Sequence, residues 1–167
     1  MLEKRGAVME TARHVSRVLD KAGIEGAVIG GIAVVLHGHV RTTKVVDVFV
    51  RGPLESCRTA FEEAGMACDA KGREFLSEGV PVHLVPEAMV APAPREFTEI
   101  EGVTTVRLAD LINMKLKSGL ANLARALDIA DVIGLIGVHK LGHSFARTLD
   151  RNVRGEFKKL VDAVRNQ

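Results

Sequence analysis

One carboxylate interrupts an otherwise apolar stretch that ends the first third of the chain. Residues 44–50 read KVVDVFV, and β-branched side chains of this kind predict a buried strand. Side chains alternate between the two faces of a strand, so Asp47 faces away from the valines at positions 46, 48 and 50, which point into the core. Because an unpaired buried carboxylate is costly, Asp47 is expected either to partner a loop or to bind a metal ion at a site.

Two adjacent glycines, Gly30 and Gly31, separate a short apolar run from a helical pattern. Glycines at such a turn let the backbone approach an anion, and free N–H groups at a helix start favour phosphate. The basic, hydroxylated loop before the strand supplies Arg41, Thr43 and Lys44, which could contact phosphate oxygens of a nucleotide lying over the glycines. The alternatives are a tight turn and an exposed loop without a ligand.

The histidines offer weaker candidates for a metal site. His83 lies in the apolar stretch VPVHLV and is a candidate ligand, although a hydrogen-bonded packing role is the alternative, because Mg²⁺ prefers oxygen donors. His37 and His39 flank Gly38 without a second pair of ligands, which favours a turn or cap role. The two cysteines, Cys57 and Cys68, have no CxxC spacing and are expected to be reduced thiols.

The surrounding pattern predicts an α+β fold, a mixed β-sheet flanked by helices with a helical C-terminal third. We expect one domain over 1–167, with an α/β core over 1–106 and a helical part over 107–167 packed on it. The predicted helices and strands follow in chain order. They are a helix over 7–22, a strand over 27–29, a helix over 32–36, a strand over 44–50, a helix over 53–65, an antiparallel pair over 73–76 and 80–85, a loop over 86–97, a strand within 100–106 and then three or four helices, one of them HSFARTLD.

Composition limits the classes of function. The chain has 167 residues, a net charge of +2, no Trp and no Tyr, which argues against non-specific nucleic-acid binding as its main task. No apolar run approaches the length of a membrane span and the first residues lack a signal-peptide pattern, so we expect a cytoplasmic protein without a membrane partner.

The pattern GG-x-A-x-x-x-HG-x-x-RTTK-x-x-D-x-x-V resembles the nucleotidyltransferase superfamily, in particular small bacterial proteins similar to the AbiEii-type toxins. The later stretches LADLINMKL and RALDIADVIGLI resemble helices of that family in which a lysine, an arginine and two aspartates recur, here Lys115, Arg125, Asp128 and Asp131. The resemblance implies a mixed sheet of about five strands and transfer of a nucleoside monophosphate from an NTP to a hydroxyl. It also implies two Mg²⁺ ions held by two carboxylates on one strand and a third from a neighbouring strand.

The sequence departs from that family pattern at two positions. Val45 stands where the first acid is expected, and His83 stands where the third is expected, so one carboxylate of three remains. Three other acids, Glu74, Glu78 and Glu87, could replace the missing ones.

The leading hypothesis is a protein that binds an NTP and Mg²⁺ at a partly degenerate site and transfers nucleotides weakly or not at all. Asp47 would be the catalytic residue, Asp47 and His83 would hold the metal, and the nucleotide would contact Gly30, Gly31, Arg41, Thr43, Lys44 and Lys115. The acceptor would be a hydroxyl of an RNA, a protein or a small molecule, and a homodimer is a possible assembly. The alternatives are an active enzyme that recruits other acids and a non-catalytic interaction module of a toxin–antitoxin type system.

Overall fold

A computed structural model describes residues 2–71, 73–121 and 125–166 of the chain. The described elements are seven strands and six α-helices in a mixed order, with short 3₁₀ segments at Glu87–Met89, His143–Thr148 and Arg151–Val153. The elements are α1 (Leu2–Ala22), β1 (Gly26–Ile29), α2 (Gly30–Leu36), β2 (Val46–Val50), α3 (Leu54–Glu63), β3 (Ala67–Cys68), β4 (Glu74–Ser77), β5 (Val80–Pro86), β6 (Phe97–Ile100), β7 (Val103–Val106), α4 (Leu108–Ala121), α5 (Ala126–His139) and α6 (Arg154–Arg165).

All seven strands form one mixed sheet in the order β3-β4-β5-β2-β1-β7-β6. β2 pairs antiparallel with β1 and parallel with β5, so the strand that carries Asp47 lies near the middle of the sheet. β1 pairs parallel with β7, and the Thr105 hydroxyl donates to the Val28 carbonyl at 2.6 Å across that pair. Long-range pairing of this kind places residues from distant parts of the chain side by side.

Helices cover both faces of the sheet. The first face packs against α1 and α3 through a core that includes Val46, Val48 and Val50, together with Val15 and Phe61 from the helices. The second face packs against α4, α5 and α6. That core contains Ala27, Phe49, Ile112, Leu135 and Phe157, among others. The alternation predicted for β2 is therefore confirmed, with its valines on one face and Phe49 on the other.

The predicted α+β class is confirmed: the sheet is mixed and helices flank it. The sheet has seven strands rather than about five, because β3 and β6 add an edge on each side. β6 begins at Phe97, inside the predicted loop, since a tight turn with Glu101 and Gly102 at positive φ lets it pair with β7. Within the stretch HSFARTLD, His143–Thr148 form a 3₁₀ segment instead of an α-helix, and the Thr148 hydroxyl donates to the Phe145 carbonyl near its end.

Within the three described ranges, no helix combines the length and the apolar character that crossing a membrane requires.

Candidate functional site

A cleft of about 800 Å³ opens where β1, β2 and β5 meet α4 and the segments on either side of β5. One part of its lining is charged and the other is apolar. The charged part contains Asp47, Asp69, Lys71, Arg73, Glu74, His83, Lys115, Lys117, Arg125 and Asp128, and the apolar part contains Ile29, Leu84, Val85, Met89, Val90, Ala91, Pro92, Leu111 and Met114. The combination suits a ligand with an anionic end and a less polar end.

Asp47 projects into this cleft from β2, directly opposite Ile29 of β1 in the strand register. The next residue after Ile29 is Gly30, which has a φ of +69° and lies against the Asp47 carboxylate. A side chain at Gly30 would collide with the Asp47 Oδ2 atom and would also be strained by the positive φ. Gly30 is therefore the residue that makes room for the carboxylate at the start of α2.

Asp47, His83 and Glu74 form a row across three neighbouring strands. Asp47 pairs with His83 in the β2–β5 register, and His83 pairs with Glu74 in the β4–β5 register. His83 Nδ1 lies 3.4 Å from Asp47 Oδ1, and His83 Nε2 lies 3.7 Å from Glu74 Oε1. The imidazole of His83 thus lies between the Asp47 and Glu74 carboxylates, and the three side chains do not surround a shared position at which a metal ion could bind.

Burial raises the pKa of Asp47 above its usual value, because a desolvated carboxylate is harder to ionise. The charges of His83, Lys115 and Arg125 act in the opposite direction and offset part of that shift in pKa. Asp47 is thus a half-buried acid whose neighbours in the cleft are mainly cationic.

Lys115 reaches the cleft from α4 but is held by two aspartates of α5. Its Nζ atom lies 2.8 Å from Asp128 Oδ1 and 3.1 Å from Asp131 Oδ2. Arg125 Nε lies 3.1 Å from the other Asp128 oxygen, and Arg41 Nε lies 2.8 Å from Asp131 Oδ1. Together these five side chains form an ion-pair network between the cleft and the helical part of the chain.

The pKa of Asp128 is shifted in the opposite direction from that of Asp47. Burial alone would raise the pKa of Asp128, but the hydrogen bond and charge of Lys115, with help from Ser118 and Arg125, lower it overall. Asp128 therefore remains ionised and holds the Lys115 ammonium in place.

The structure brings together only some of the predicted site residues. Gly30, Asp47, His83 and Lys115 line the cleft, whereas Gly31, Arg41, Thr43 and Lys44 are not part of its lining. A methyl group at Gly31 would come within 2.8 Å of the Thr43 hydroxyl and 2.9 Å of the Arg41 guanidinium, so these two side chains pack over that glycine. As contacts of a nucleotide, the four residues outside the cleft stay predictions.

The donor atoms at this site do not fit a pair of Mg²⁺ ions. Within the described parts of the chain, no three His, Cys, Asp or Glu side chains converge as a metal site. Val45 does not line the cleft, and Glu78 lies at the hairpin turn between β4 and β5. Glu87 lies 3.5 Å from Arg51, which leaves Glu74 as the one proposed replacement acid that reaches the cleft.

Three cationic residues of the cleft were not singled out from the sequence. Lys71 and Arg73 precede β4, and Lys117 lies on α4 two residues after Lys115. Lys117 Nζ lies 3.1 Å from both Asp150 Oδ2 and the Ala91 carbonyl oxygen, which connects α4 to the apolar wall of the cleft. Lys71 and Arg73 are a basic signal in the sequence, but the pairing of β4 with β5 is what brings the start of β4 to the cleft that contains Asp47.

The histidines of the LHGHV stretch have packing roles. His37 Nε2 contacts the Val106 carbonyl oxygen at 2.8 Å, and burial lowers the pKa of His37, although this backbone hydrogen bond opposes the shift. His139 Nε2 contacts the His37 carbonyl oxygen at 2.6 Å. The His39 ring lies against Gly134 of α5, where a side chain would collide with it. These contacts support the predicted turn role and hold α5 against the loop that carries Arg41.

Comparisons with known proteins identify the fold. No family model and no curated protein sequence matches the chain. Among solved structures, it is similar to an antigenic nucleotidyltransferase-like protein from Paracoccidioides brasiliensis, with a TM-score of 0.58 and 16% identity over 78% of this chain and 76% of that one. A tRNA-processing enzyme in its apo form matches with a TM-score of 0.45 and 17% identity, over 96% of this chain and 47% of that one. On the strength of the first likeness, the chain has a nucleotidyltransferase-like fold.

Proposed function

We propose that this chain binds a nucleoside triphosphate in the cleft and transfers nucleotidyl groups weakly or not at all. The observation that carries the proposal is the position of Asp47. It is the strand-borne carboxylate that packs on Gly30, and it lies in a cleft to which five Lys and Arg side chains contribute. An acid and several cations around one cavity are the groups that recognise a polyphosphate and orient it.

The shape of the cleft supports a nucleotide over a smaller anion. The cavity of about 800 Å³ is within the usual range for a small-molecule site. The wall from Met89 to Pro92, together with Met114, offers apolar contacts for a base and sugar. The triphosphate would lie toward the cationic side chains of the lining, among them Lys115 and Arg125.

We expect weak or absent nucleotidyl transfer because of how the acidic side chains of the cleft are arranged. A two-metal transfer needs several carboxylate oxygens around the same point, and the row formed by Asp47, His83 and Glu74 has an imidazole between its two acids. The acceptor hydroxyl would come from an RNA, a protein or a small molecule.

One observation favours the second candidate, an active nucleotidyltransferase. Glu74 lies in the cleft on the strand next to His83, so a shift of the imidazole would leave two acids facing the same ligand. His83→Asp, which adds a carboxylate beside Asp47 within the cleft, tests whether an added acid creates activity. NTP-dependent transfer by the variant alone supports the leading proposal, whereas transfer by the unaltered protein supports the second candidate.

The first experiment titrates the protein with ATP, GTP, CTP or UTP. Binding is measured by the change in Tm and by calorimetry. A ligand that binds only the folded state at 100 times its Kd adds about 2.7 kcal/mol, which raises the Tm of a domain of this size by roughly 5–11 °C. Arg73→Gln removes a cation from the cleft and is expected to weaken binding about threefold to tenfold, or ~0.6–1.4 kcal/mol.

A matched control separates a cleft effect from a general charge effect. Arg17→Gln makes the same change at an exposed position on α1, outside the cleft lining, and is expected to leave binding unchanged. Equal losses in the two variants, or no binding of any NTP at millimolar concentration, contradict the proposed function. In the latter case a non-catalytic interaction module, for example of a toxin–antitoxin type system, becomes the better hypothesis.

A further inference from the structure

We infer that the cleft binds the phosphates of its ligand without a divalent metal ion, and that basic side chains of the chain supply the counter-charge. This inference rests on the proposed function and deepens it, because it specifies the ligand as a free polyphosphate or nucleotide instead of its Mg²⁺ complex.

The first argument is the arrangement of oxygen donors. Asp47 presents Oδ1 to His83 Nδ1 at 3.4 Å, while its Oδ2 atom packs against Gly30. His83 Nε2 faces Glu74 Oε1 at 3.7 Å, so the Glu74 carboxylate is separated from Asp47 by the width of an imidazole ring. Mg²⁺ requires near-octahedral oxygen coordination and loses its waters reluctantly. A metal ion bound here would have one protein carboxylate to replace them.

The second argument is the charge around Asp47. Lys115 and Arg125 both act on this carboxylate electrostatically, and Lys71, Arg73 and Lys117 line the same cleft, so the five Lys and Arg side chains of the lining outnumber its four acids, Asp47, Asp69, Glu74 and Asp128. A divalent cation placed beside Asp47 would meet these like charges. An anion would meet them as partners, since a phosphate oxygen accepts hydrogen bonds from ammonium and guanidinium groups. The side chains therefore provide the neutralisation that metal ions provide in a two-metal site.

The third argument is which cations can move to meet a ligand. Lys115 is fixed between Asp128 and Asp131, whereas the Arg125 side chain is 61% exposed and pairs with Asp128 through Nε at 3.1 Å. Arg73 is exposed, and its Nη1 atom lies 3.5 Å from the Met89 sulfur. A fixed ammonium at the base of the cleft and exposed guanidinium groups at its rim form a clamp for a chain of phosphates.

The experiment compares ATP and inorganic triphosphate as probes in calorimetric titrations of the full chain, once with EDTA and once with excess MgCl₂, at matched ionic strength. We expect both probes to bind in EDTA at least as tightly as in MgCl₂. Because free charges are screened by salt, we also expect the affinity in EDTA to fall as NaCl is raised. Binding that is roughly tenfold or more tighter with MgCl₂ overturns the inference and leaves the proposed function standing. No binding of either probe in either buffer overturns both.

Two substitutions of His83 test whether the arrangement of Asp47, His83 and Glu74 prevents metal binding. His83→Asp places a second carboxylate next to Asp47 in the parallel register, where neighbouring strands lie about 4.8 Å apart. The matched control His83→Asn removes the imidazole without adding an acid. We expect ATP binding to become at least about fivefold tighter with MgCl₂ than with EDTA in His83→Asp and to remain metal-independent in His83→Asn. The same magnesium response in both variants would refute the assignment. Circular dichroism of each variant shows that it is folded before it is titrated.

Discussion

Asp131 offers the sharpest test of the ion-pair network behind the cleft. This residue is fully buried on α5 and holds two cations from different parts of the chain. Arg41 Nη2 donates to Asp131 Oδ2 at 3.2 Å, and Lys115 Nζ lies 3.1 Å from the same oxygen. The closer pair of Arg41 Nε and Asp131 Oδ1, 2.8 Å apart, is a charge contact without the alignment of a hydrogen bond. Asp131→Asn keeps the size of the side chain and removes its charge.

The loss of unfolding free energy in Asp131→Asn depends on which contacts Lys115 and Arg41 retain. Removing one member of a buried ion pair costs about 3–5 kcal/mol, chiefly because the other charge is left unpaired. Lys115 keeps Asp128 at 2.8 Å, so most of the loss falls on Arg41, whose side chain is 18% exposed and thus partly hydrated. We expect the lower limit, about 3 kcal/mol, which corresponds to a decrease in Tm of roughly 6–12 °C for a chain of this size.

The assay is urea unfolding followed by circular dichroism, with Asp162→Asn as the matched control. Asp162 pairs with His143 at 2.7 Å, but the two side chains are 55% and 46% exposed, so its loss is expected to cost less than about 1 kcal/mol. A double-mutant cycle that adds Arg41→Gln should give a coupling energy of about 2 kcal/mol with Asp131→Asn. Equal losses for the two aspartate variants, or no coupling to Arg41, would refute the reasoning.

Three further predictions concern the glycine turn and the two titrating acids. Gly30→Ala should destabilise the fold by about 2 kcal/mol or more and weaken ATP binding in calorimetry, because its positive φ and the Asp47 carboxylate leave no room for a side chain. Gly155→Ala, on the open face of α6, should instead be neutral or stabilising by up to ~1 kcal/mol. Asp47→Asn should raise the Tm at neutral pH. The pKa of Asp47 is raised in the folded protein, so ionisation of this carboxylate lowers the stability as the pH increases. The gain in Tm should therefore vanish below pH 3.8, the ordinary pKa of an aspartate. Asp128→Asn should have the opposite sign, since the lowered pKa of Asp128 stabilises the fold above 3.8 and this contribution is lost as the pH falls through the folded-state pKa. Parallel unfolding series from pH 3 to pH 7 check both acids, and two curves of the same sign would contradict the assignment.

The sequence predicted the local parts of the site well. The alternation of β2 determines which face Asp47 occupies, and the glycine pair marks the end of β1, although α2 begins at Gly30 and not at the predicted residue 32. The hairpin of β4 and β5 was also predictable, because its turn contains Gly79 between two stretches of strand-forming residues. Each of these features depends on neighbours in the chain.

The features that periodicity does not predict depend on contacts between distant residues. The family resemblance grouped His83 with Asp47, and the structure places them side by side through the parallel pairing of β2 and β5, whose partner and register periodicity alone does not determine. The resemblance singled out Asp128 and Asp131, but Arg41, which pairs with Asp131, comes from a loop 90 residues away. The basic lining of the cleft emerges in the same way, from three segments that converge only in the fold.

The position of β1 has a consequence for amide hydrogen exchange. All four of its residues are buried, and it lies between β2 and β7 in the middle of the sheet, so its amides should exchange only when the whole domain unfolds. The rim of the cleft is different, since Lys71, Arg73 and Met89 are exposed and lie outside the central strands. Local opening should therefore expose the rim long before the floor that carries Asp47. A bound nucleotide should slow exchange chiefly in the rim segments, which would map the ligand's footprint without a co-crystal.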